Sequence, residues 1–415
     1  MSTISTKRFG KNIKPKLWIV SEVFYPEEIS TGYILTKLAE GLAEDYDVRA
    51  LSKRKSRNIV PSFETYKGVK IYRCLSTVFN KNNLFLRFIN AFSFNILILF
   101  NSLIVFSRND LVMAVTNPPI LPYFVLLGAS VKKATFIILV HDVYPHLMVA
   151  LDMIKPTSFL FRLWTYFNKI LFEKSNLIVV LSEDMKKLVS REFYSSLIQK
   201  KIHVIQNWAE IDIIKPFEKE NNSIARKLGI NDKFIIQYAG NFGRPNDIET
   251  IIDAAKVLKC DEKVHFIFAG DGAKKKWVEK QKSKFNLDNL TLLNSYSRKD
   301  QNGILSASDI SLIALIRGMK GISMPSRFYN IMASGKAIIA IIDDNTEVAS
   351  IIKNEGIGWV IPPGNGHLLI NAILEAKIDP YLKEKGLKAR KIAEKNYSYD
   401  KILSMYKVTF EKLNE

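Results

Sequence analysis

The fold is decided by the segment FIIQYAGNFGRPNDIETIIDAAKVLKCDEKVHFIFAGDG, residues 234–272. An apolar run at 234–238 leads into a glycine-containing loop at 239–243, a stretch with helical spacing follows at 248–258, and a second apolar run spans 265–269. A strand, a helix and a further strand in this order are typical of a parallel sheet covered by helices. Since the loop follows the carboxyl end of a strand, it lies at the edge where doubly wound sheets bind their ligands.

The same alternation extends over nearly the whole chain. A length of 415 residues is sufficient for two or three domains with separate cores. We predict an α/β protein with two Rossmann-like, doubly wound domains facing a cleft, at 14–208 and 209–395, followed by a helical segment at 396–415. The other apolar runs that predict strands lie at 16–20, 46–50, 69–73, 111–115, 134–140, 177–181, 290–293, 310–314, 337–342 and 359–361.

Composition narrows the class of protein. Apolar residues make up 47% and charged residues 24%, which excludes an intrinsically disordered chain. Cys74 and Cys260 are too few for a disulfide framework or a thiolate zinc site, so we expect a reducing, cytoplasmic setting. The five histidines are scattered, and neither a metal nor a cofactor is predicted.

The positive charge is concentrated in the first half. The net charge is +19, and residues 1–205 carry 28 basic against 15 acidic side chains. Two interpretations are open: an anionic partner, such as a phosphorylated substrate, an acidic lipid surface or nucleic acid, or simply a solubilising surface. Because no nucleic-acid recognition motif is present, we expect no nucleic-acid partner.

The segment 84–106 is the most apolar part of the chain. At about 100° per residue its five polar residues fall within an arc of roughly 140°, which predicts an amphipathic helix with a broad apolar face and not a membrane span. It is either a core helix or a helix that lies on a bilayer. The polar residues are Arg87, Asn90, Asn95, Asn101 and Ser102.

Two loops carry the residue types that bind phosphate. Glycines at 240 and 243 allow backbone N–H groups to approach an anion, the following helix N-terminus adds positive charge, and Arg244 offers a forked donor. A tight turn between strand and helix would need glycine in any case. The pattern Gly270-Asp271-Gly272 recurs after the next strand, which favours the ligand interpretation.

The segment 324–336, MPSRFYNIMASGK, predicts a short helix with chemical groups at its start. Pro325 fits the first turn, Ser326 is expected to cap it, and Gly335 ends the helix. Arg327 and Asn330, three residues apart, share one face and suit a diphosphate and a ribose hydroxyl. An ordinary capped helix with a solvated arginine is the alternative.

Taken in order along the chain, these motifs resemble the GT-B glycosyltransferases of family 4, and in particular the bacterial amino-sugar transferases of O-antigen and capsule assembly. The resemblance covers nearly the whole chain from residue 16. It implies an acceptor in the first domain, a nucleotide-sugar donor in the second, retention of anomeric configuration, no essential metal, and a final helix that crosses back onto the first domain. The motifs are Tyr25-Pro26…Gly32, His141-Asp142-Val143-Tyr144-Pro145, Ser182-Glu183, Asn207-Trp208, 238–243, 268–272 and 325–336.

The resemblance also implies roles for individual residues. His141, Arg244 and Arg327 are the expected catalytic residues: the histidine lies beside the transferred sugar and the arginines face the donor diphosphate. The residues expected to bind substrate or nucleotide are Gly32, Asp142, Gly240, Asn241, Gly270, Gly272, Tyr296, Ser326, Asn330 and Glu347.

One departure from the family pattern bears on activity. Many members carry two glutamates seven residues apart, and the matching positions here are Ile322 and Asn330. Glu347 either restores a carboxylate near the site or is an N-terminal cap of the next helix. A catalytically inactive subunit or scaffold of a glycosyltransferase complex is therefore the alternative function.

The resulting prediction is a retaining, metal-independent glycosyltransferase of surface polysaccharide biosynthesis. The donor is a nucleotide-sugar, by resemblance a UDP-sugar, and the acceptor is a saccharide or is carried on a lipid diphosphate. The basic first half and the 84–106 helix suit a peripheral position on the anionic inner face of the plasma membrane.

Overall fold

The computed structural model describes residues 14–54, 60–75, 77 and 84–413, with only the backbone described at 84–89 and 91. Fourteen strands in the described part of the chain form two sheets, one built by residues 16–204 and the other by residues 234–361. Both are wrapped by helices, so the predicted pair of doubly wound α/β units facing a cleft is confirmed. The exact domain boundaries stay a prediction.

The first sheet has eight strands in the order β3-β4-β2-β1-β5-β6-β7-β8. All neighbours are parallel except β3 and β4, which form a hairpin at the sheet edge through Lys67 and Gly68. Trp18 at the centre is fully buried, and its indole N–H donates to Asp110. The strands are β1 (Lys16–Val20), β2 (Asp47–Lys53), β3 (Phe63–Tyr66), β4 (Val69–Cys74), β5 (Leu111–Val115), β6 (Thr135–Val140), β7 (Leu177–Val180) and β8 (Ile202–Val204).

In the described part of the first unit, seven helices accompany this sheet and connect its strands. Apolar residues at helical spacing give each long helix a buried side, for example at Leu35, Leu38 and Leu42. The helices are α1 (Ser30–Leu42), α2 (Leu84–Val105), α3 (Leu121–Lys132), α4 (His146–Ala150), α5 (Phe159–Lys174), α6 (Glu183–Glu192) and α7 (Ser196–Lys201).

The second sheet is entirely parallel, with the strand order β11-β10-β9-β12-β13-β14. The order reverses between β9 and β12, which creates the crevice where ligands bind in this class of fold. The elements are α8 (Ser223–Lys227), β9 (Phe234–Ala239), α9 (Ile248–Val257), β10 (Val264–Ala269), α10 (Lys275–Phe285), β11 (Leu290–Leu293), α11 (Gln301–Ser306), β12 (Ile310–Ala314), α12 (Arg327–Ala333), β13 (Ala337–Ile341), α13 (Glu347–Glu355), β14 (Gly358–Ile361), α14 (Gly366–Ile378) and α15 (Leu382–Asn396).

The last helix, α16 (Tyr399–Glu411), packs against the first unit. The Tyr399 hydroxyl donates to the Lys37 carbonyl at 2.8 Å, and Phe410 contacts the ring of Tyr46 edge-on. The chain therefore begins and ends its described part on the same unit, and two connections join the halves.

Helix α2 covers most of the apolar segment 84–106, and part of its predicted polar stripe faces the interior. Asn90, Asn95 and Ser102 from the polar stripe are buried, whereas Phe100 and Ile104 are exposed. The Arg87 side chain lies outside the described residues. Among the described helices none is both long and apolar enough to cross a membrane.

Candidate functional site

The two sheets direct their carboxyl edges toward each other, and the loops that carry the motifs meet there. The Val143 N–H donates to the Ile322 carbonyl at 2.8 Å across the cleft. Ser30 at the start of α1 and Ser326 before α12 have their hydroxyl oxygens 3.0 Å apart. The predicted acceptor loops and donor loops are thus neighbours in space.

Two glycines allow the donor loops to pack closely. Gly240 has φ +140° and Gly270 has φ +146°, and a Cβ on Gly270 would collide with the Gly240 carbonyl. Gly240 was expected to bind the donor. Its N–H, however, donates to the Ala269 carbonyl and is therefore not available to a ligand. The N–H groups of Asn241, Gly243 and Arg244 donate to no acceptor in the described part of the chain. These three groups are the available donors of the loop.

The N-terminus of α9, which is expected to add positive charge beside this loop, carries a capping carboxylate of its own. The Asp247 carboxylate caps the helix. It accepts hydrogen bonds from the Thr250 N–H at 3.2 Å and from the Thr250 hydroxyl at 2.6 Å. The same carboxylate also accepts from the Gly364 N–H at 2.8 Å. The Asp247 carboxylate therefore offsets part of the positive charge at the helix end, so the loop and its arginines become more important for anion binding.

Arg327 extends from α12 to the glycine loop. Its guanidinium carbon lies 4.3 Å from the centre of the Tyr238 ring, and Nη2 donates to the Asn241 carbonyl at 3.2 Å. Nη1 is buried and has no partner among the described residues. Arg244 is exposed and makes no hydrogen bond or ion pair to the residues the structure describes. The Arg327 guanidinium thus lies against the loop, and Arg244 is a second, exposed guanidinium at the end of the same loop.

Tyr296 and Arg298 complete this side of the cleft. Burial raises the pKa of Tyr296, and the charges of Arg327 and Arg298 oppose that rise, so both cations lie near the phenol. Sequence reasoning missed Arg298. Its guanidinium lies 4.3 Å from the Tyr33 ring, and its Nη2 donates to the Glu28 carbonyl at 3.3 Å. Arg298 therefore joins the donor side to the first turns of α1, next to Gly32.

His141 and Asp142 follow β6 at the base of the cleft. Burial lowers the pKa of His141 to about 4, so its imidazole is neutral at pH 7, and its Nε2 atom has no partner in the described structure. The backbone N–H groups of both residues donate to the Thr116 hydroxyl. Burial raises the pKa of Asp142, and a hydrogen bond from Ser323 of the second unit partly opposes that rise. His141 thus presents an unsatisfied ring nitrogen, whereas Asp142 bridges the two units.

Ile322 and Asn330, which occupy the positions of the family's two glutamates, both make structural contacts. Ile322 is buried in an apolar cluster with Leu147 and Met319 between the units. The Asn330 amide oxygen accepts from the Glu210 N–H at 3.2 Å. Sequence reasoning missed Glu210, whose carboxylate accepts from the Trp208 indole at 2.6 Å. The backbone of Glu210, in the segment between the sheets, therefore contacts Asn330.

Ser326 and Glu347 behave differently from expectation. The Ser326 side chain caps no N–H of α12 in the described structure and instead meets Ser30. Thr346 caps α13, so Glu347 is not the cap. The Glu347 carboxylate accepts from the Glu183 N–H at 2.6 Å, while Asp184 accepts from the Glu347 N–H at 2.5 Å. At each of these two helix N-termini, a backbone N–H thus donates to a carboxylate of the other helix.

No group of three or more metal-ligating side chains comes together among residues 14–54, 60–75, 77 and 84–413. The arrangement instead suits an anionic leaving group, because backbone N–H groups and guanidinium groups converge on one loop.

Comparison with known proteins supports this chemistry. Residues 220–397 match the sequence model of the family described as glycosyl transferases group 1. The probable glycosyltransferase WbjE of Pseudomonas aeruginosa is 27% identical over 391 residues, covering 92% of this chain and 94% of that protein. The putative colanic acid biosynthesis glycosyl transferase WcaI of Escherichia coli K12 is 27% identical over 243 residues, covering 57% and 58%.

The fold has solved counterparts. The crystal structure of HepE from Anabaena in complex with UDP-glucose superposes with a TM-score of 0.73 at 13% identity, covering 96% of this chain and 99% of HepE. The two facing doubly wound units therefore form the GT-B arrangement. Sequence match and fold together lead to one conclusion: this chain is a glycosyltransferase whose residues 220–397 resemble the group 1 family.

Proposed function

We propose that this enzyme transfers a sugar from a UDP-sugar to a saccharide or a lipid-diphosphate-linked acceptor during surface polysaccharide assembly, with retention and without a metal. The observation that carries the proposal is the buried, unpartnered Arg327 Nη1 beside the open N–H groups of Asn241, Gly243 and Arg244. Two similarities support the substrate classes: HepE was solved with UDP-glucose, and WcaI is described as a colanic acid biosynthesis enzyme.

The chemistry follows from where charge develops. The bond between the anomeric carbon and the diphosphate oxygen breaks, leaving positive charge on the sugar ring and negative charge on the phosphate. Arg327, Arg244 and the loop N–H groups stabilise the phosphate, and one such aimed donor contributes about 3 kcal/mol. The acceptor hydroxyl attacks from the side of the leaving group and gives its proton to the departing phosphate oxygen, which retains the configuration.

His141 positions the sugar in this scheme. Because burial holds its pKa at about 4, the ring is neutral and serves as a hydrogen-bond partner through Nε2. A primary base is not required, since the phosphate accepts the proton. Asp142, at the end of β6 on the acceptor side, contacts the donor unit through its hydrogen bond with Ser323.

The excess of basic residues in the first half supports a peripheral position on an anionic membrane surface, where a lipid-linked acceptor is available. In this arrangement the first unit meets the acceptor and the second unit holds the donor.

The test is slow hydrolysis of a panel of sugar nucleotides, combined with calorimetric titration of UDP. We expect one UDP-sugar to be hydrolysed and UDP to bind. Arg244→Ala should lower the hydrolysis rate on the order of 100-fold. Arg226→Ala, an exposed arginine on α8, is the matched control and should leave the rate unchanged.

The inactive scaffold remains the second candidate, because both family glutamate positions are occupied by Ile322 and Asn330. The same experiment separates the two functions. Absence of UDP binding together with absence of hydrolysis across the panel would favour the scaffold.

A further inference from the structure

One side of the first unit exposes a broad apolar surface, which we call the α2/α3/α5 face. Its helices are in contact: Phe92 meets the Phe124 ring edge-on at 6.4 Å, and Tyr123 meets Phe167 at 6.5 Å. Exposed apolar side chains that cluster on neighbouring helices mark an interaction site. Exposed residues that form it are Phe100, Ile104, Leu127, Val131, Phe159 and Leu163.

Helix α2 shows that this side is built for an apolar environment. Asn90, Asn95 and Ser102 are turned inward, and the Ser102 hydroxyl donates to the Ile98 carbonyl at 2.6 Å. Small residues let α2 and α3 approach closely, because a Cβ on Gly128 would collide with the Ser102 side chain. Phe94 and Ile98 are buried as well, but the outward residues Phe92, Phe100 and Ile104 are apolar, whereas a water-facing helix has a polar outer face. This apolar outer face of α2 fits a surface covered by lipid.

The charges around the face specify which lipid. The three helices contain five basic residues and one acidic residue, Glu173. Arg162 and Lys169 are exposed on α5, and Arg108 and Lys133 follow the ends of α2 and α3. Basic side chains with aromatic and aliphatic neighbours are the composition of segments that rest in an anionic bilayer interface.

The face is connected directly to the reaction cleft. Asn168 of α5 donates to the Tyr144 carbonyl at 2.6 Å and accepts from the Tyr123 hydroxyl of α3 at 2.5 Å. Trp164 stacks on the Tyr144 ring at 5.8 Å. Tyr144 lies two residues after Asp142, so α3 and α5 hold the acceptor loop against the face.

We propose that the α2/α3/α5 face inserts shallowly into an anionic phospholipid bilayer and thereby holds the acceptor loop beside the membrane. The docking itself does not depend on the donor site. Only its purpose, access to an acceptor carried on a lipid diphosphate, rests on the proposed function. Insertion of apolar side chains adds a component of binding that salt does not screen.

The experiment is flotation of the full chain with vesicles of phosphatidylethanolamine and phosphatidylglycerol, compared with phosphatidylcholine alone. The test variant is Ile104→Glu with Val131→Glu, at residues that are 78% and 68% exposed near the C-termini of their helices. The control variant is Ile378→Glu with Val257→Glu, at the C-terminal residues of α14 and α9, 81% and 61% exposed. The two variants match in residue type, exposure and helix position.

We expect the wild type and the control to float with the anionic vesicles, and a fraction to stay bound at about 0.5 M NaCl, where the Debye length is only a few ångströms. Ile104→Glu with Val131→Glu should reduce binding at least about tenfold. Equal binding of the two variants, or complete release by salt, would overturn the inference. Loss of a concentration-dependent dimer in the test variant, without vesicle binding by the wild type, would assign the face to a second copy of the chain and also overturn it.

Two further measurements keep the results separable. Hydrolysis of the UDP-sugar in lipid-free solution should be equal in both variants, so a failure of the proposed function is seen independently of lipid binding. If the test variant does not fold, lipid-borne photocrosslinkers applied to the wild type should label peptides of α2, α3 and α5. Labelling elsewhere would contradict the docking face.

Discussion

Replacing Arg327 with alanine removes the group that the proposed mechanism depends on most. In the free enzyme Nη1 is buried without a described partner, while Nη2 donates to Asn241 and the guanidinium packs on Tyr238. A charge-assisted donor to the leaving diphosphate contributes about 3 kcal/mol to the transition state. Because 1.36 kcal/mol corresponds to a factor of ten, kcat should fall on the order of 100-fold.

The same substitution has a smaller effect on folding. Loss of one cation–π contact and one hydrogen bond should lower the free energy of unfolding by about 1–2 kcal/mol. Arg327→Lys keeps the charge but not the forked geometry, so its kcat should lie between those of the wild type and Arg327→Ala. Single-turnover hydrolysis of the UDP-sugar measures the chemical step, and thermal unfolding measures stability.

The comparison of these two readouts decides the role of Arg327. If Arg327→Ala loses stability but keeps its turnover, Arg327 only supports the glycine loop and the assignment of the leaving-group site is incorrect. Arg226→Ala, at an exposed residue of α8, should leave kcat unchanged, and because its two hydrogen bonds are exposed it should lower the free energy of unfolding by less than Arg327→Ala does.

Three other outcomes are expected. Gly270→Ala should lower the free energy of unfolding by about 3 kcal/mol, because the new Cβ collides with Gly240 and the φ angle is positive. The control Gly318→Ala also has a positive φ but open space around it, so it should lower the free energy of unfolding by only about 1 kcal/mol. Equal losses in thermal unfolding would contradict the steric argument. Burial holds the pKa of His141 and His265 at about 4, below the usual 6.5, so the unfolded chain takes up protons first as the pH falls. The two neutral histidines contribute their full stabilisation above pH 6.5, and this contribution is lost as the pH falls toward 4. The free energy of unfolding should therefore fall by up to about 1.4 kcal/mol per pH unit for each histidine. Urea titrations at several pH values should show a smaller pH dependence for His265→Asn than for the wild type. Hydrolysis should survive removal of divalent cations by EDTA, and abolition that added Mg²⁺ or Mn²⁺ reverses would refute metal independence.

Local patterns were sufficient for most of the strands. Apolar runs such as 234–238 and 337–342 lie on β9 and β13, with ends that differ by one residue. The hairpin strand β3 escaped notice because its residues alternate between exposed and partly buried at a sheet edge, without an apolar run. Its turn at Lys67 and Gly68 uses two positive φ angles, and lysine is an unusual residue in the first of these positions.

Residue spacing also located the glycine loops and Arg327, but not the partners that determine their chemistry. Asp247 was part of the quoted segment, yet its capping of α9 depends on how the chain turns after Arg244. Glu210 and Arg298 approach the cleft from segments distant along the chain, and such contacts leave no local pattern.

What the sequence by itself determined is the set of elements and the positions of their loops, since the alternation of apolar runs and helical spacing is a local property of neighbouring residues. The tertiary structure decided which side of α2 is covered, where Glu347 directs its carboxylate, and which N–H groups of the glycine loop remain open. The physical reason is that burial and hydrogen bonding depend on segments far apart in the chain, so the same amphipathic helix can turn its polar stripe inward when its neighbours accommodate it.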